Sequence, residues 1–113
     1  MYNKENLFAK IIRSEIPCTK ISENNYAIAF NDKFPKAKIH ILVIPKGDYI
    51  DFYDFTSKAS KDEVIEFYSL INQVILENNM NESGFRLISN SGIDGNQEIQ
   101  HFHMHILGGE RLS

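Results

Sequence analysis

Leu7, Phe8, Ile11 and Ile12 recur at the spacing of one helical face, and Pro17 predicts an end to that helix after Glu15 and Ile16. Two short runs follow, Thr19 to Ser22 and Tyr26 to Phe30, each read as a strand, and Asn31, Asp32, Lys33 and Pro35 then mark a polar turn. Ile39-His40-Ile41-Leu42-Val43-Ile44 is rich in β-branched residues and closes at Pro45 and Gly47, the pattern of a central strand buried on both faces. Residues 46 to 57 read as loop, with Tyr49, Phe52, Tyr53 and Phe55 scattered through it. Ser60 and Glu63 form a capping box ahead of a helix running to about Asn79, whose apolar stripe is Val64, Phe67, Tyr68, Ile71, Val74 and Ile75. Phe85 to Ser89 and Gln100 to Leu107 supply two further strands, with the loop Asn90 to Asn96 between them. Strands in a mostly consecutive meander, with one long helix between the third and fourth, predict an α+β fold: a five-stranded antiparallel sheet, one long helix and a short N-terminal helix.

Composition narrows the picture. A chain of 113 residues, 42% hydrophobic and 24% charged, predicts one domain over residues 1–113 with a modest core, which association with a second subunit would help to stabilise. The net charge of −3 lacks the basic field of a nucleic-acid binder. Ile39 to Ile44 is far too short to span a bilayer, and the start at Met1-Tyr2-Asn3-Lys4 lacks the basic-then-apolar pattern of a secretory leader. One cysteine, Cys18, allows no internal disulfide and fits a reducing compartment. These features predict a cytoplasmic protein.

The chemistry concentrates in His101-Phe102-His103-Met104-His105, which holds three of the four histidines. On a strand all three imidazoles point to one face, roughly 7 Å apart in succession, with Phe102, Met104 and Ile106 on the other. Three imidazoles on one face repel when protonated, which weighs against a purely structural role. Spacing leaves two readings open: ligands for a Zn²⁺ ion, or an imidazole nucleophile whose neighbours manage charge and protons. The preceding Gly92-Ile93-Asp94-Gly95-Asn96-Gln97 contains two glycines, and free backbone N–H groups there would suit phosphate oxygens.

His-Phe-His-Met-His-Ile-Leu-Gly-Gly, residues 101–109, resembles the defining pattern of the histidine triad (HIT) superfamily, and its Leu107-Gly108-Gly109 ending resembles the bacterial-type histidine triad nucleotide-binding branch. Leu7 to Pro17, Phe34 to Lys46 and Asn90 to Gln97 resemble that family's opening segment, second block and phosphate loop. The resemblance implies that His103 attacks an α-phosphorus to give a nucleotidyl-histidine intermediate, which water hydrolyses. It implies that His105 meets the phosphate and leaving-group side, and that His101 and His40 complete the imidazole network. Asp32 matches the ribose-binding acid; Phe8, Ile11 and Phe30 would wall the purine; Asn90, Asn96, Gln97 and Glu98 fall near the phosphate. The implied substrates are AMP or GMP conjugates, purine nucleoside phosphoramidates or aminoacyl-adenylate-like compounds, hydrolysed by a homodimer with no metal or other cofactor. Dinucleoside polyphosphate hydrolysis, nucleotidyl transfer and non-catalytic nucleotide binding are the alternatives. Several positions depart from the pattern. Asn96 and Glu98 stand where many relatives carry glycine and serine, Glu110 replaces an arginine, and Asn6 and Ala9 occupy the places of a zinc-binding cysteine pair.

Overall fold

The computed structural model describes residues 1–113. Helix α1, Leu7–Ile12, is capped by Asn6, whose side chain accepts from the Ala9 N–H. It ends earlier than Pro17 alone predicts, because Ser14 turns the chain into the left-handed region at φ 63. Strands β1 (Lys20–Glu23), β2 (Ala27–Asn31) and β3 (Ile39–Pro45) follow as antiparallel neighbours. Helix α2, Phe52–Lys58, occupies the stretch read as loop. Its aromatics serve the core and not a coil: Phe55 is fully buried, stacked 4.9 Å from Phe102 and packed 5.2 Å from Phe67. The overlooked signal is Asp51, which caps the helix by accepting from the Asp54 N–H.

The long helix α3 spans Lys61–Glu77 and carries the expected capping box of Ser60 and Glu63. Its buried stripe is Phe67, Leu70, Ile71, Val74 and Ile75, so Leu70 takes the inward place expected for the more exposed Tyr68. A single turn, α4 (Met80–Ser83), leads into β4 (Phe85–Ile88), and β5 (Met104–Gly108) closes the chain. The sheet is five-stranded and antiparallel, as expected, but its order is β1-β2-β3-β5-β4. The meander therefore holds only for the first three strands, and β5 inserts between β3 and β4.

The two faces of this sheet have different tasks. Ala27, Ala29, Ile41, Val43, Met104 and Ile106 point toward α3 and form the main core. Ile28, Phe30, Leu42 and Ile44 point the other way and pack against Phe8 and Ile11 of α1. His40 and His105 share this second face, because Leu42 lies opposite His105 and alternation puts residues 40 and 42 on one side. The core of the second face is thus also the floor of a cleft. No helix is long and apolar enough to cross a membrane.

Candidate active site

A cleft of about 1250 Å³ opens on that face, and Phe8, Ile11, Phe30, Asp32, His40, Asn90, Asn96, Glu98, His103 and His105 all line it. Two other expected members do not. His101 has no exposed surface, and it sits behind His103 instead of beside it. The expected alternation holds, with Phe8 packed edge to face on both His101 and His103 and with Phe102, Met104 and Ile106 in the opposite core, but the ladder pairing of β5 begins only at Met104. Pro45, next along β3, has no N–H with which to continue the ladder, and its carbonyl oxygen instead lies 2.8 Å from His101 Nε2. The Phe102 N–H meanwhile bonds to the Tyr49 carbonyl at 2.8 Å.

Gln97 is the second exception. Its side chain is buried and fully engaged: Nε2 donates to the carbonyls of Ile50 and Ile99, and Oε1 accepts from the Gly92 N–H. Its part is to hold the loop from within. The glycine amides are not free donors either, since the Gly95 N–H bonds to the Ser91 carbonyl at 3.1 Å. Gly95 is needed for closeness: a Cβ there would meet the Ser91 carbonyl oxygen at 2.4 Å. The loop offers the cleft Asn90, Asn96 and Glu98, with Asn96 held at φ 55.

Backbone groups decide where each imidazole keeps its proton. His103 Nδ1 is 2.7 Å from the His101 carbonyl oxygen, which can only accept, so Nδ1 carries the hydrogen and Nε2 the lone pair. His40 Nδ1 accepts from the Lys36 N–H at 3.0 Å, which puts the hydrogen of a neutral ring on Nε2. That Nε2–H lies 2.9 Å from His105 Nδ1 and 3.3 Å from Asp32 Oδ2. His105 therefore accepts at Nδ1 and keeps its own hydrogen on Nε2. Every buried side-chain nitrogen and oxygen has a partner. The two Nε2 atoms of His103 and His105, which have none, thus reach accessible space in the cleft. One presents a lone pair, the other an N–H. Asp32 is steadied on its other oxygen by the Phe34 N–H at 2.8 Å. Lys33 and Lys36, which the sequence marks only as turn and block residues, add positive charge to the lining.

Asp32, His40 and His105 place one potential ligand atom each within 4.8 Å of one another. The distances suit a cation, but the donor set does not: the only lone pair of neutral His40 is already taken by the Lys36 N–H. Coordination at Nε2 would require an imidazolate or the loss of that bond.

Burial lowers the proton affinity of all four rings. His101 is pushed down to about 4, chiefly by desolvation, and His105 to about 4 by desolvation and then by His103 and His40. His103 and His40 are lowered from the same principal cause. The rings are therefore neutral near pH 7, as a nucleophile with a free lone pair requires. An unfolded histidine protonates near pH 6.5, whereas folded His101 resists until about pH 4. Between these values the unfolded chain binds more protons, so stability falls as pH drops through the window. His101 alone is expected to remove ~3 kcal/mol across it. Urea midpoints at pH 7 and pH 4.5 check this, and equal midpoints would count against neutral burial of the ring.

Comparison with known proteins finds relatives in both sequence and fold. Residues 13–112 match the HIT domain family. The chain is 50% identical to an uncharacterized HIT-like protein of Rickettsia prowazekii over 99% of this chain and 93% of that one. Its fold is similar to a HIT family hydrolase from Legionella pneumophila, with TM-score 0.83 and 32% identity over 95% of each chain. It is also similar to a histidine triad nucleotide-binding protein from Candida albicans, with TM-score 0.81 and 25% identity, covering 90% of this chain and 73% of that one.

Proposed function

Since the chain belongs to the HIT domain family, we propose that it is a purine nucleoside phosphoramidase-like hydrolase of the nucleotide-binding branch, acting through a nucleotidyl-His103 intermediate. The observation that carries this reading is the unpartnered Nε2 of His103, facing the cleft with its opposite nitrogen pinned to the His101 carbonyl. The Nε2 lone pair forms a bond to phosphorus, and the bond from phosphorus to the leaving nitrogen breaks. The amine departs with the bonding pair and takes up one proton from solvent, guided by the hydrogen bond that His105 Nε2–H makes to the departing nitrogen. Water then bonds to phosphorus and releases one proton to solvent as the phosphorus–Nε2 bond breaks, and the lone pair returns to Nε2. The net change is hydrolysis, with the ring restored.

Phe8 and Phe30, packed edge to face at 5.7 Å, support an apolar berth for the base beside the histidines. Asp32 supports ribose recognition, since a carboxylate can accept from both ribose hydroxyls. A cytoplasmic homodimer belongs to the same reading; exposed Ile65 on α3, with Phe85 and Leu87 on β4, supplies apolar area for association. Lys33 and Lys36 favour one alternative, a leaving group with further phosphates, as in a dinucleoside polyphosphate. Rapidly quenched enzyme, incubated separately with adenosine phosphoramidate and a dinucleoside polyphosphate, is expected to carry a nucleotide mass on the peptide containing His103. Turnover with no such mass, or with the mass on another residue, would overturn the nucleophile.

A further inference from the structure

The N-terminal segment reaches the back of the site. The phenol oxygen of Tyr2 lies 2.5 Å from His101 Nδ1, with the rings edge to face at 5.5 Å. His101 Nε2 faces the Pro45 carbonyl oxygen at 2.8 Å, so the hydrogen of this ring is on Nε2 and its lone pair on Nδ1. The Tyr2 hydroxyl is therefore the donor to a completely buried acceptor. Residues 101–103 lie ahead of the β5 ladder, so the imidazole tethered at both nitrogens does for this stretch what strand pairing does for the next. The carbonyl of the same residue receives the His103 Nδ1–H.

Tyr2 is itself held. Arg13 Nη1 donates to the Lys4 carbonyl at 2.7 Å, and Asn6 Nδ2 donates to the Asn3 carbonyl at 2.8 Å. The segment is thus fastened to α1, whose Phe8 also packs edge to face on His103 at 5.0 Å.

We propose that Tyr2 is a positioning residue for the nucleophile: its hydroxyl locks the orientation of the His101 ring, whose tautomer the Pro45 carbonyl sets, and the His101 carbonyl in turn aims His103 Nε2 into the cleft. This rests on His103 as the attacking group. Its test has a readout that does not. In full-length protein with ¹⁵N-labelled histidine, Tyr2→Phe is expected to shift the His101 Nδ1 resonance toward that of an unbonded lone pair. With adenosine phosphoramidate, the same variant is expected to lose about tenfold in kcat with KM held within about twofold. Arg13→Ala, which frees the Lys4 carbonyl, is expected to give a smaller loss of the same kind, and it carries the test should Tyr2→Phe fold poorly. Wild-type kcat in Tyr2→Phe, or a lower kcat with unchanged His101 resonances, would overturn the proposal. So would wild-type kcat in an Arg13→Ala protein whose His101 resonances have moved. Turnover by His103→Ala would defeat the nucleophile instead, and the nitrogen shift would still decide whether Tyr2 holds the His101 ring.

Discussion

Replacing His103 by alanine is expected to lower kcat on an adenosine phosphoramidate by roughly 10⁴-fold, because no other ring presents an open lone pair to the cleft. His40 spends its lone pair on the Lys36 N–H, His105 spends its own on His40, and His101 is sealed behind Tyr2. Nucleotide affinity is expected to change far less, since Phe8, Ile11, Phe30 and Asp32 remain on the walls. Single-turnover kinetics with calorimetry of AMP binding separates the two effects. Residual turnover near one hundredth of wild type, about 10²-fold below it, would mean that bond formation by His103 is not the main source of rate.

His105→Ala is the second large effect, and its size is expected to depend on what leaves. The Nε2–H of His105 is the donor available to the departing atom, and removing one such preorganised donor costs roughly 10²- to 10³-fold. Nitrogen leaves poorly without a proton, so the phosphoramidate should show the full loss. A p-nitrophenyl ester of AMP, whose aryloxide departs unaided, should lose less than about tenfold. Equal losses on both substrates would make His105 a group that binds or shapes the site. Comparison of kcat/KM for the two substrates in both proteins is sufficient.

Much of the arrangement was legible in the residue pattern, for identifiable reasons. The capping box at Ser60 and Glu63 and the run Ile39 to Ile44 are local signals that the folded chain leaves intact. Helix α2 was missed because its inward residues are aromatic and capped by Asp51, without the aliphatic stripe that marks α3. The insertion of β5 between β3 and β4 is a matter of long-range pairing, on which local periodicity is silent. His-x-His-x-His promised three equivalent rings. Tyr2 and Phe8 cover the first of them, and His101 becomes a support. The resemblance sets Gln97 near the phosphate and free glycine amides would suit its oxygens, yet Gln97 ties the loop to Ile50 and the amides of Gly92 and Gly95 are bonded within the loop. The tautomers depend on the Lys36 N–H and the carbonyls of His101 and Pro45, and no side-chain motif encodes those contacts.

The late insertion of β5 also bears on synthesis. Until residues 104–108 emerge, β3 and β4 have no strand between them, and each offers an unsatisfied row of amides and carbonyls. A nascent or prematurely terminated chain therefore exposes two sticky margins at the middle of its sheet, the kind of margin on which aggregation nucleates. Because β5 also carries His105 across to His40, the act that seals those margins is the same one that completes the proposed site. A chain cut off before Met104 would be a hazard, with no partly assembled cleft to offset it.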